Sequence, residues 1–249
     1  MRVVMPLPSA LLDLVHDLQR QKSSEGAGSE RTVRTGISPL DRMLPDEGVR
    51  GGGVVEWLAE KAGGGMSFAV LMAAHALRTC EQQQLVIIDA ERQFYPAALP
   101  AWGIPFDRVV LVRPRNAREA LWSWEQSLRC PGVAACLGLI SEIDTVALRR
   151  LQLAAEHGES IALLLRPPRV AREPSWASMR WRVTPLPGEP PSRPGSLSQG
   201  GRRFRVELLR CRGQIRGGVA DMELTHDAIP LPVVSALADS TAPLRATGS

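Results

Sequence analysis

Hydrophobic residues along this chain occur in short runs that alternate with longer amphipathic stretches. Short, mostly apolar runs are typical of strands buried inside a parallel sheet. Five such runs occupy residues 54–58, 85–89, 109–112, 133–140 and 161–165. The stretches between them predict helices over 67–80, from Asn116 onward and over 145–157. This alternation predicts an α/β fold with a mostly parallel central sheet and helices on both faces.

Residues with capping preferences mark two of the predicted helix ends. Asn116, followed three residues later by Glu119, forms a pair that resembles a capping box and predicts a helix start. Gly158 follows the stretch 145–157 and predicts its end, because glycine readily takes the left-handed conformation that closes a helix.

Beyond residue 166 the hydrophobic pattern changes to a period of two, which predicts half-buried strands. Apolar positions alternate with charged ones in two segments: Met179, Trp181 and Val183 with Arg180 and Arg182, and Phe204, Val206 and Leu208 with Arg203, Arg205 and Glu207. We expect these strands to pair antiparallel at the edge of the sheet and to present one basic face. The intervening residues 185–202 are rich in Pro, Gly and Ser, which predicts a disordered insertion.

The N-terminal region predicts a separate short helix over residues 9–20, with Ser9 as its N-cap. The apolar residues on one face of this helix are Leu11, Leu14, Val15 and Leu18. A Gly/Ser-rich linker follows, so the helix is expected to bury its apolar face either on its own domain or on another chain.

These patterns divide the chain into three parts. We predict an N-terminal helix with a flexible linker over residues 1–31, a single α/β domain over 32–235 and a flexible tail over 236–249.

The composition is that of a globular protein, with 44% hydrophobic residues. No apolar run approaches the roughly 20 residues that a membrane span requires, and the N-terminus lacks a secretory pattern. We therefore expect a cytoplasmic protein without membrane association. The four cysteines and four histidines have no spacing that suits zinc, a disulfide framework or a catalytic thiol, so no metal site is predicted, and Cys136 is interpreted as a core residue.

Positive charge is concentrated late in the chain. Residues 166–216 contain 12 arginines, no lysine and 3 glutamates, which gives a net charge of +9. The whole chain carries +4, so the remaining residues carry −5. A basic segment on a mildly acidic body suggests contact with nucleic acid or with an acidic protein surface. Compositional bias toward arginine is the alternative, because the chain has only two lysines, Lys22 and Lys61.

Several strings resemble the core of the RecA recombinase. The string over residues 33–67 matches the opening of that core through Thr35, Gly36, Leu40, Asp41, Gly51 to Gly53 and Glu56. The string LVIIDAERQFYP over 85–96 resembles the strand that carries the family's Asp-Ala-Glu element, and residues 102–114 continue the match. Residues 177–183 and 205–213 resemble two late strands. The resemblance implies a RecA-like P-loop NTPase core over about residues 32–230.

The loop that matches the family's phosphate-binding loop departs from it in its chemistry. A P-loop needs G-x-x-x-x-G-K-[ST], because its amides cradle phosphate and its lysine reaches the β and γ phosphates. Here Gly64 or Gly65 stands where the lysine should be, and Lys61 lies too early to replace it. We interpret the degenerate nucleotide site of Gly63, Gly64, Gly65 and Ser67 as a tight strand-to-helix turn. No cofactor is expected, and weak binding of ATP and Mg²⁺ at the glycine amides is the alternative.

The acidic residues of a RecA-type site are also incomplete. Glu91 stands where the family has its water-activating glutamate, and it is the one weak catalytic candidate. The metal-holding acid is replaced by the apolar end of the run 133–140, although Glu142 and Asp144 lie close by. Phosphoryl transfer depends on positioned charge, so a catalytic role is not favoured, and a helix-capping or surface carboxylate is the preferred interpretation of Glu91.

The two DNA-binding loops of the RecA core are shortened as well. A helix at Thr145 replaces the first, and the second is reduced to residues 167–176, which carry Arg169, Arg172 and Trp176. Arginine next to an aromatic residue suits single-stranded nucleic acid. Candidate contacts to DNA or a partner are therefore Arg169, Arg172, Trp176, Arg180, Arg182, Arg203, Arg205, Arg210 and Arg212.

Taken together, the eroded loop, the shortened DNA-binding segments, the N-terminal helix and the arginine-rich hairpin resemble the ImuA family. That resemblance implies a non-catalytic accessory factor in damage-induced, error-prone translesion DNA synthesis. Its implied partners are a Y-family-like polymerase subunit of the ImuB type and an error-prone DnaE-type polymerase, with RecA and single-stranded DNA as further candidates. The alternatives are a RecA-type DNA-dependent ATPase with a remodelled loop and an inhibitor of cell division similar to SulA.

Overall fold

A nine-stranded sheet forms the centre of the molecule. The structure is a computed structural model that describes residues 2–4, 32–187, 201–212 and 217–224. The strands are β1 (Arg2–Val4), β2 (Thr32–Val33), β3 (Val49–Arg50), β4 (Val54–Leu58), β5 (Gln84–Ile88), β6 (Val109–Val112), β7 (Val133–Leu139), β8 (Ile161–Arg166), β9 (Met179–Pro185), β10 (Arg202–Cys211) and β11 (Val219–Leu224). The helices are α1 (Ser38–Asp41), α2 (Gly65–Arg78), α3 (Ala117–Arg129) and α4 (Thr145–Gly158).

The strand order in the sheet is β1-β6-β5-β7-β8-β4-β9-β10-β11, and β2 and β3 form a separate antiparallel pair. Every neighbouring pair from β1 to β9 is parallel, whereas β9–β10 and β10–β11 are antiparallel. The predicted α/β class, with a mostly parallel sheet and a late antiparallel hairpin, is confirmed. The outermost strand on that side is β11, which the sequence pattern did not predict.

Alternate residues of the inner strands supply two cores, one on each face of the sheet. On one face Trp57, Ile87 and Leu137 belong to the cluster that packs against α2. On the other face Val86 and Cys136 belong to the cluster that packs against α3 and α4. Both faces are therefore covered by helices, which explains why these strands appear as continuous apolar runs.

The predicted helix caps are confirmed at one end and corrected at another. The Asn116 side chain accepts a hydrogen bond from the Glu119 amide at 2.9 Å, as a capping residue should. Gly158, however, is the last residue of α4, and the left-handed residue that follows is Glu159, with φ of +53°. Gly158 is needed for a different reason, because a β-carbon there would lie 2.0 Å from the Leu128 carbonyl oxygen.

Some sequence predictions concern residues outside the described ranges. The predicted helix 9–20, its linker and the tail 236–249 lie outside them, whereas Arg2–Val4, within the predicted N-terminal segment, is a strand. The predicted insertion 185–202 is shorter than expected at both ends, since β9 reaches Pro185 and β10 begins at Arg202. Its residues 188–200 lie outside the described part of the chain.

Cys136 is fully buried in the core, as predicted, and Cys130 is equally buried. Burial raises the pKa of the Cys136 thiol well above its usual value. A thiol held in its neutral form is a poor nucleophile, which agrees with a packing role for this residue.

Candidate functional site

The turn that contains Gly63 and Gly64 connects β4 to α2 and is called the glycine turn below. It is covered by the hairpin of β9 and β10. Gly64 precedes α2 with φ of +88°, a conformation that favours glycine. A β-carbon at Gly64 would lie 2.2 Å from Cε1 of Phe204, because the Phe204 ring rests directly on this residue. Across the same turn, Nη2 of Arg202 donates to the Ala62 carbonyl oxygen at 2.9 Å. The start of β10 therefore closes over the turn.

Beneath the turn lies a stack of four buried aromatic rings. The Phe204 ring meets Phe68 edge to face at 5.6 Å between centroids, and Phe68 stacks on Trp57 at 5.8 Å. Trp57 in turn stacks on Trp181 of β9, also at 5.8 Å. Because Phe68 belongs to α2 and the tryptophans to β4 and β9, the stack ties the turn to the hairpin through buried apolar area.

Glu91 lies at the carboxyl end of β5, near the glycine turn. Its Oε2 is 3.5 Å from Nζ of Lys61, and its side chain is 40% exposed. No helix begins directly after Glu91, so of the two structural roles considered, the surface carboxylate fits and the helix cap does not. The neighbouring Asp89 accepts hydrogen bonds from the amides of Gln93 and Phe94, at 2.9 and 3.3 Å, and so shapes the loop that follows β5.

The two carboxylates that follow β7 have other contacts. Asp144 caps α4 by accepting the Ala147 amide at 2.7 Å. Glu142 points into solvent, with Arg169 at 3.7 Å. Neither contact brings a carboxylate to the glycine turn, as a metal-holding acid of a P-loop site would require.

A buried ion cluster lies where β4, β8 and β9 run side by side. Glu56 of β4 is completely buried and accepts from Nη1 of Arg166 at 2.8 Å and from Nε of Arg180 at 2.7 Å. The Ser175 hydroxyl donates to the same carboxylate at 2.8 Å. A buried carboxylate tolerates its loss of hydration only with such partners.

The pKa of Glu56 reflects a competition between burial and these partners. Burial by itself raises the pKa, but the hydrogen bonds and charges of Arg180 and Arg166, together with Ser175, outweigh it, so the net pKa lies below 4.5. Glu56 is therefore ionised at neutral pH, and the cluster carries one negative and two positive charges.

Arg180 also fastens the segment that follows β8. Its Nη1 donates to the carbonyl oxygens of Val170, Ala171 and Glu173, at 3.3, 3.1 and 2.9 Å. The segment 167–176, predicted as a short loop, contains the 3₁₀ helix Pro168–Arg172 and is held to the sheet by this guanidinium together with the hydrogen bond from Ser175 to Glu56.

The predicted basic face of the hairpin is corrected in two respects. Arg180, Arg182, Arg203 and Arg205 do share one face of the paired strands, as register requires. Arg180, however, is buried within the Glu56 cluster.

The remaining arginines of that face stand opposite carboxylates. Arg182 pairs with Glu207 at 3.1 Å, and Arg205 holds both oxygens of Asp221 at 2.8 and 2.9 Å. Arg203 lies opposite Glu223 in the β10–β11 register. The hydrogen bond from Arg205 lowers the pKa of Asp221, so this pairing persists over a wide pH range. The face is thus charge-paired rather than uniformly basic.

The other candidate contact residues lie in the segment 167–176 and at the end of β10. Trp176 is partly exposed, and the guanidinium of Arg149 lies 4.7 Å from its ring centroid. Arg210 donates to the Ser175 carbonyl oxygen, and Arg212 lies 3.5 Å from Glu156 of α4. Their role in binding DNA or a partner stays a prediction.

A cavity of about 640 Å³ opens at the carboxyl edge of the parallel strands. This is the edge at which open α/β sheets bind ligands. Its walls come from the ends of β5, β7 and β8, from the segments that follow these strands and from the N-terminal parts of α3 and α4: Ile88, Ala90, Glu91, Ala117, Ala120, Leu121, Trp124, Leu139, Ile140, Ser141, Glu142, Ile143, Asp144, Ala147, Arg166, Arg169, Val170 and Glu173.

No helix among the described residues is long and apolar enough to span a membrane. Within the same ranges, no group of three or more His, Cys, Asp or Glu side chains is arranged to hold a metal ion.

Sequence reasoning missed Glu56 and Arg166 as ion partners and Arg149 as the partner of Trp176. The available signal for the first was a lone glutamate inside the apolar run 54–58. A carboxylate in a buried strand requires a buried cation, and only the fold shows that two arginines supply it.

The chain matches no protein-family model. It is 32% identical to Protein ImuA of two strains of Caulobacter vibrioides, NA1000 / CB15N and ATCC 19089 / CIP 103742 / CB 15, over 219 residues. The alignment covers 82% of this chain and 89% of each relative. A shorter stretch of 69 residues is 36% identical to the cell division inhibitor SulA of Edwardsiella piscicida, and covers 28% of this chain and 41% of that protein.

Proposed function

Because this chain belongs to the ImuA family, we propose that it is a non-catalytic accessory factor in damage-induced, error-prone translesion DNA synthesis. In this proposal it binds a Y-family-like polymerase subunit of the ImuB type and an error-prone DnaE-type polymerase in the cytoplasm. RecA and single-stranded DNA are secondary partners. The protein contributes surfaces for assembly and performs no reaction of its own.

The contact of Phe204 with Gly64 is the observation that supports a non-catalytic role. A phosphate-binding loop keeps its backbone amides open to the ligand and adds a lysine. Here no lysine follows the glycines, and the start of β10 packs over the turn through Phe204 and Arg202. The turn serves as a platform for the hairpin, in keeping with a RecA-like core whose phosphate site has been converted to packing.

The experiment combines two assays on the purified full-length protein. ATP hydrolysis is measured with and without single-stranded DNA, and pull-down is measured with purified ImuB-type and DnaE-type subunits. We expect hydrolysis at background and saturable binding to at least one polymerase subunit. Hydrolysis that disappears in Glu91→Gln, or binding to neither subunit, contradicts the proposal.

A DNA-dependent ATPase is the second candidate, and the contact between Lys61 and Glu91 at 3.5 Å is the observation that favours it. This pair places one cation and one carboxylate beside the glycine turn. In this reading Lys61→Ala and Glu91→Gln each abolish a measurable ATPase, whereas the accessory-factor proposal expects neither to change a background rate.

The similarity of a 69-residue stretch to SulA favours a third candidate, an inhibitor of cell division. Expression of the chain in a bacterial host with an intact division machinery tests it, because an inhibitor produces filamentous cells. Normal division at high expression argues against this role and leaves the accessory-factor proposal standing.

A further inference from the structure

Half of the large hydrophobic side chains that are exposed within the described residues lie on or beside α4. These are Val146 (71% exposed), Leu153 (46%) and Trp176 (43%). Val146 and Leu153 are seven residues apart on the helix, so they lie on one face with about 10 Å between them along the helix axis. A single exposed hydrophobic side chain needs no explanation, but a group of exposed hydrophobic side chains on one surface marks an interaction site.

Arginines border this apolar stripe on both sides. Arg149 lies toward Trp176, where its guanidinium stacks on the ring at 4.7 Å. Arg150 lies on the other side and pairs with Glu125 of α3 at 2.8 Å. Within the described part of the chain no carboxylate forms an ion pair with Arg149. The surface thus combines an apolar centre, a basic border and a tryptophan whose ring is already held in place.

We propose that this surface, formed by Val146, Arg149, Leu153 and Trp176, binds an acidic amphipathic helix of a polymerase partner. A helix is the occupant that fits, because two apolar residues one heptad apart match the i, i+3, i+4, i+7 stripe of a single helix. Acidic residues at the flank of that helix complement Arg149, whereas the charge of Arg150 is already matched by Glu125. The proposal rests on the proposed function and adds the surface through which it is carried out.

Single-stranded DNA fits this surface less well than a protein does. Nucleic acid is held by positive charge and by stacking on aromatic rings, and aliphatic side chains at the centre of the face contribute to neither. Tryptophan and arginine around an aliphatic centre are typical of the residues that dominate protein interfaces. One face of the Trp176 ring is also occupied by Arg149.

The test measures the affinity of purified full-length protein for purified ImuB-type and DnaE-type subunits and for a single-stranded oligonucleotide. Val146→Glu with Leu153→Glu should weaken binding to one polymerase subunit by about tenfold or more. Arg149→Glu should weaken it and reduce its salt dependence, whereas Arg149→Lys should retain most of it. Val219→Glu is the matched control, because Val219 is half exposed on β11, and it should bind as the wild type does.

A photo-cross-linking residue at position 146 provides a second readout that does not depend on a destabilising change. We expect its cross-link to fall within a helical segment of the partner that carries net negative charge. If Val146→Glu with Leu153→Glu leaves the affinity for both subunits unchanged, the proposed binding surface is wrong and the proposed function is unaffected. If the same variant loses only oligonucleotide binding, the surface binds DNA and the proposed helix is wrong. If neither subunit binds the wild-type protein, both the proposed binding surface and the proposed function are contradicted.

Discussion

Two groups of arginines in this protein lie in the same sheet yet have opposite roles. Arg166 and Arg180, next to β4, are buried and neutralise Glu56 inside the domain. Arg203 and Arg205, one strand further out on β10, stand opposite the carboxylates of β11 at the solvent-facing edge. The alternating pattern that surrounds Arg180 in the sequence is the same as that around Arg205.

The difference is made by what covers each strand. The segment 167–176 lies over the polar face of β9 and presents three carbonyl oxygens to Arg180. Arg205 is half exposed, and its neighbour is Asp221 of the edge strand. A guanidinium with fixed partners in a dry environment holds the fold together, whereas an exposed one contributes little to stability.

The largest expected effect follows from replacing the buried arginine. Arg180→Glu should lower the free energy of unfolding by about 3–5 kcal/mol, because it leaves Glu56 facing a second buried carboxylate. Denaturant unfolding followed by circular dichroism measures this. Arg205→Glu is the matched control and should shift the midpoint only slightly, since its site is open to solvent. Equal midpoints for the two variants would show that Arg180 does not belong to the interior.

A smaller effect is expected at the inward face of β10. Gly64→Ala should lower the free energy of unfolding by about 1–3 kcal/mol, because it adds backbone strain at positive φ and a clash with the Phe204 ring.

A double-mutant cycle separates these two causes. In a Phe204→Ala background the clash is gone and only the backbone strain is left, so the penalty of Gly64→Ala should fall by more than about 0.5 kcal/mol. An unchanged penalty would mean that the hairpin does not press on the turn.

The next effect is confined to acid pH. The pKa of Glu56 is lowered in the folded protein, so its stabilising contribution is complete above 4.5 and is lost as the pH falls through the folded-state pKa. Unfolding measured at a series of pH values below 5 should therefore show a loss of stability that is diminished in Glu56→Gln. Asp221→Asn serves as the comparison, since it changes an exposed ion pair. If the free energy of unfolding depends on acid pH identically in wild type and Glu56→Gln, the loss of stability does not come from Glu56.

The smallest effect is expected on the outer face of the hairpin. Arg203→Gln with Arg205→Gln should weaken binding to a single-stranded oligonucleotide only a few-fold, and only at low salt, because carboxylates already stand opposite these arginines. Fluorescence anisotropy at two ionic strengths measures this. Asp221→Asn with Glu223→Gln should instead strengthen binding to the oligonucleotide, because it removes the carboxylates opposite these arginines. A large loss in the arginine variant would instead establish this face as the main nucleic-acid contact.

The order of buried and amphipathic segments was sufficient to predict the α/β class, the parallel strands β4 to β8 and the pairing of the late hairpin. These features depend on hydrophobic period and local capping, which a sequence displays directly. The absence of a lysine between Lys61 and Ser67 was equally visible, because it requires no coordinates.

Only the tertiary structure decided which of the alternating arginines are buried, and that Phe204 covers Gly64. Both depend on contacts between residues far apart in the chain, such as Glu56 with Arg180 and Gly64 with Phe204. A period of two assigns a side chain to one face of a strand, but the segment that packs over that face determines whether its charge meets water or a buried carboxylate.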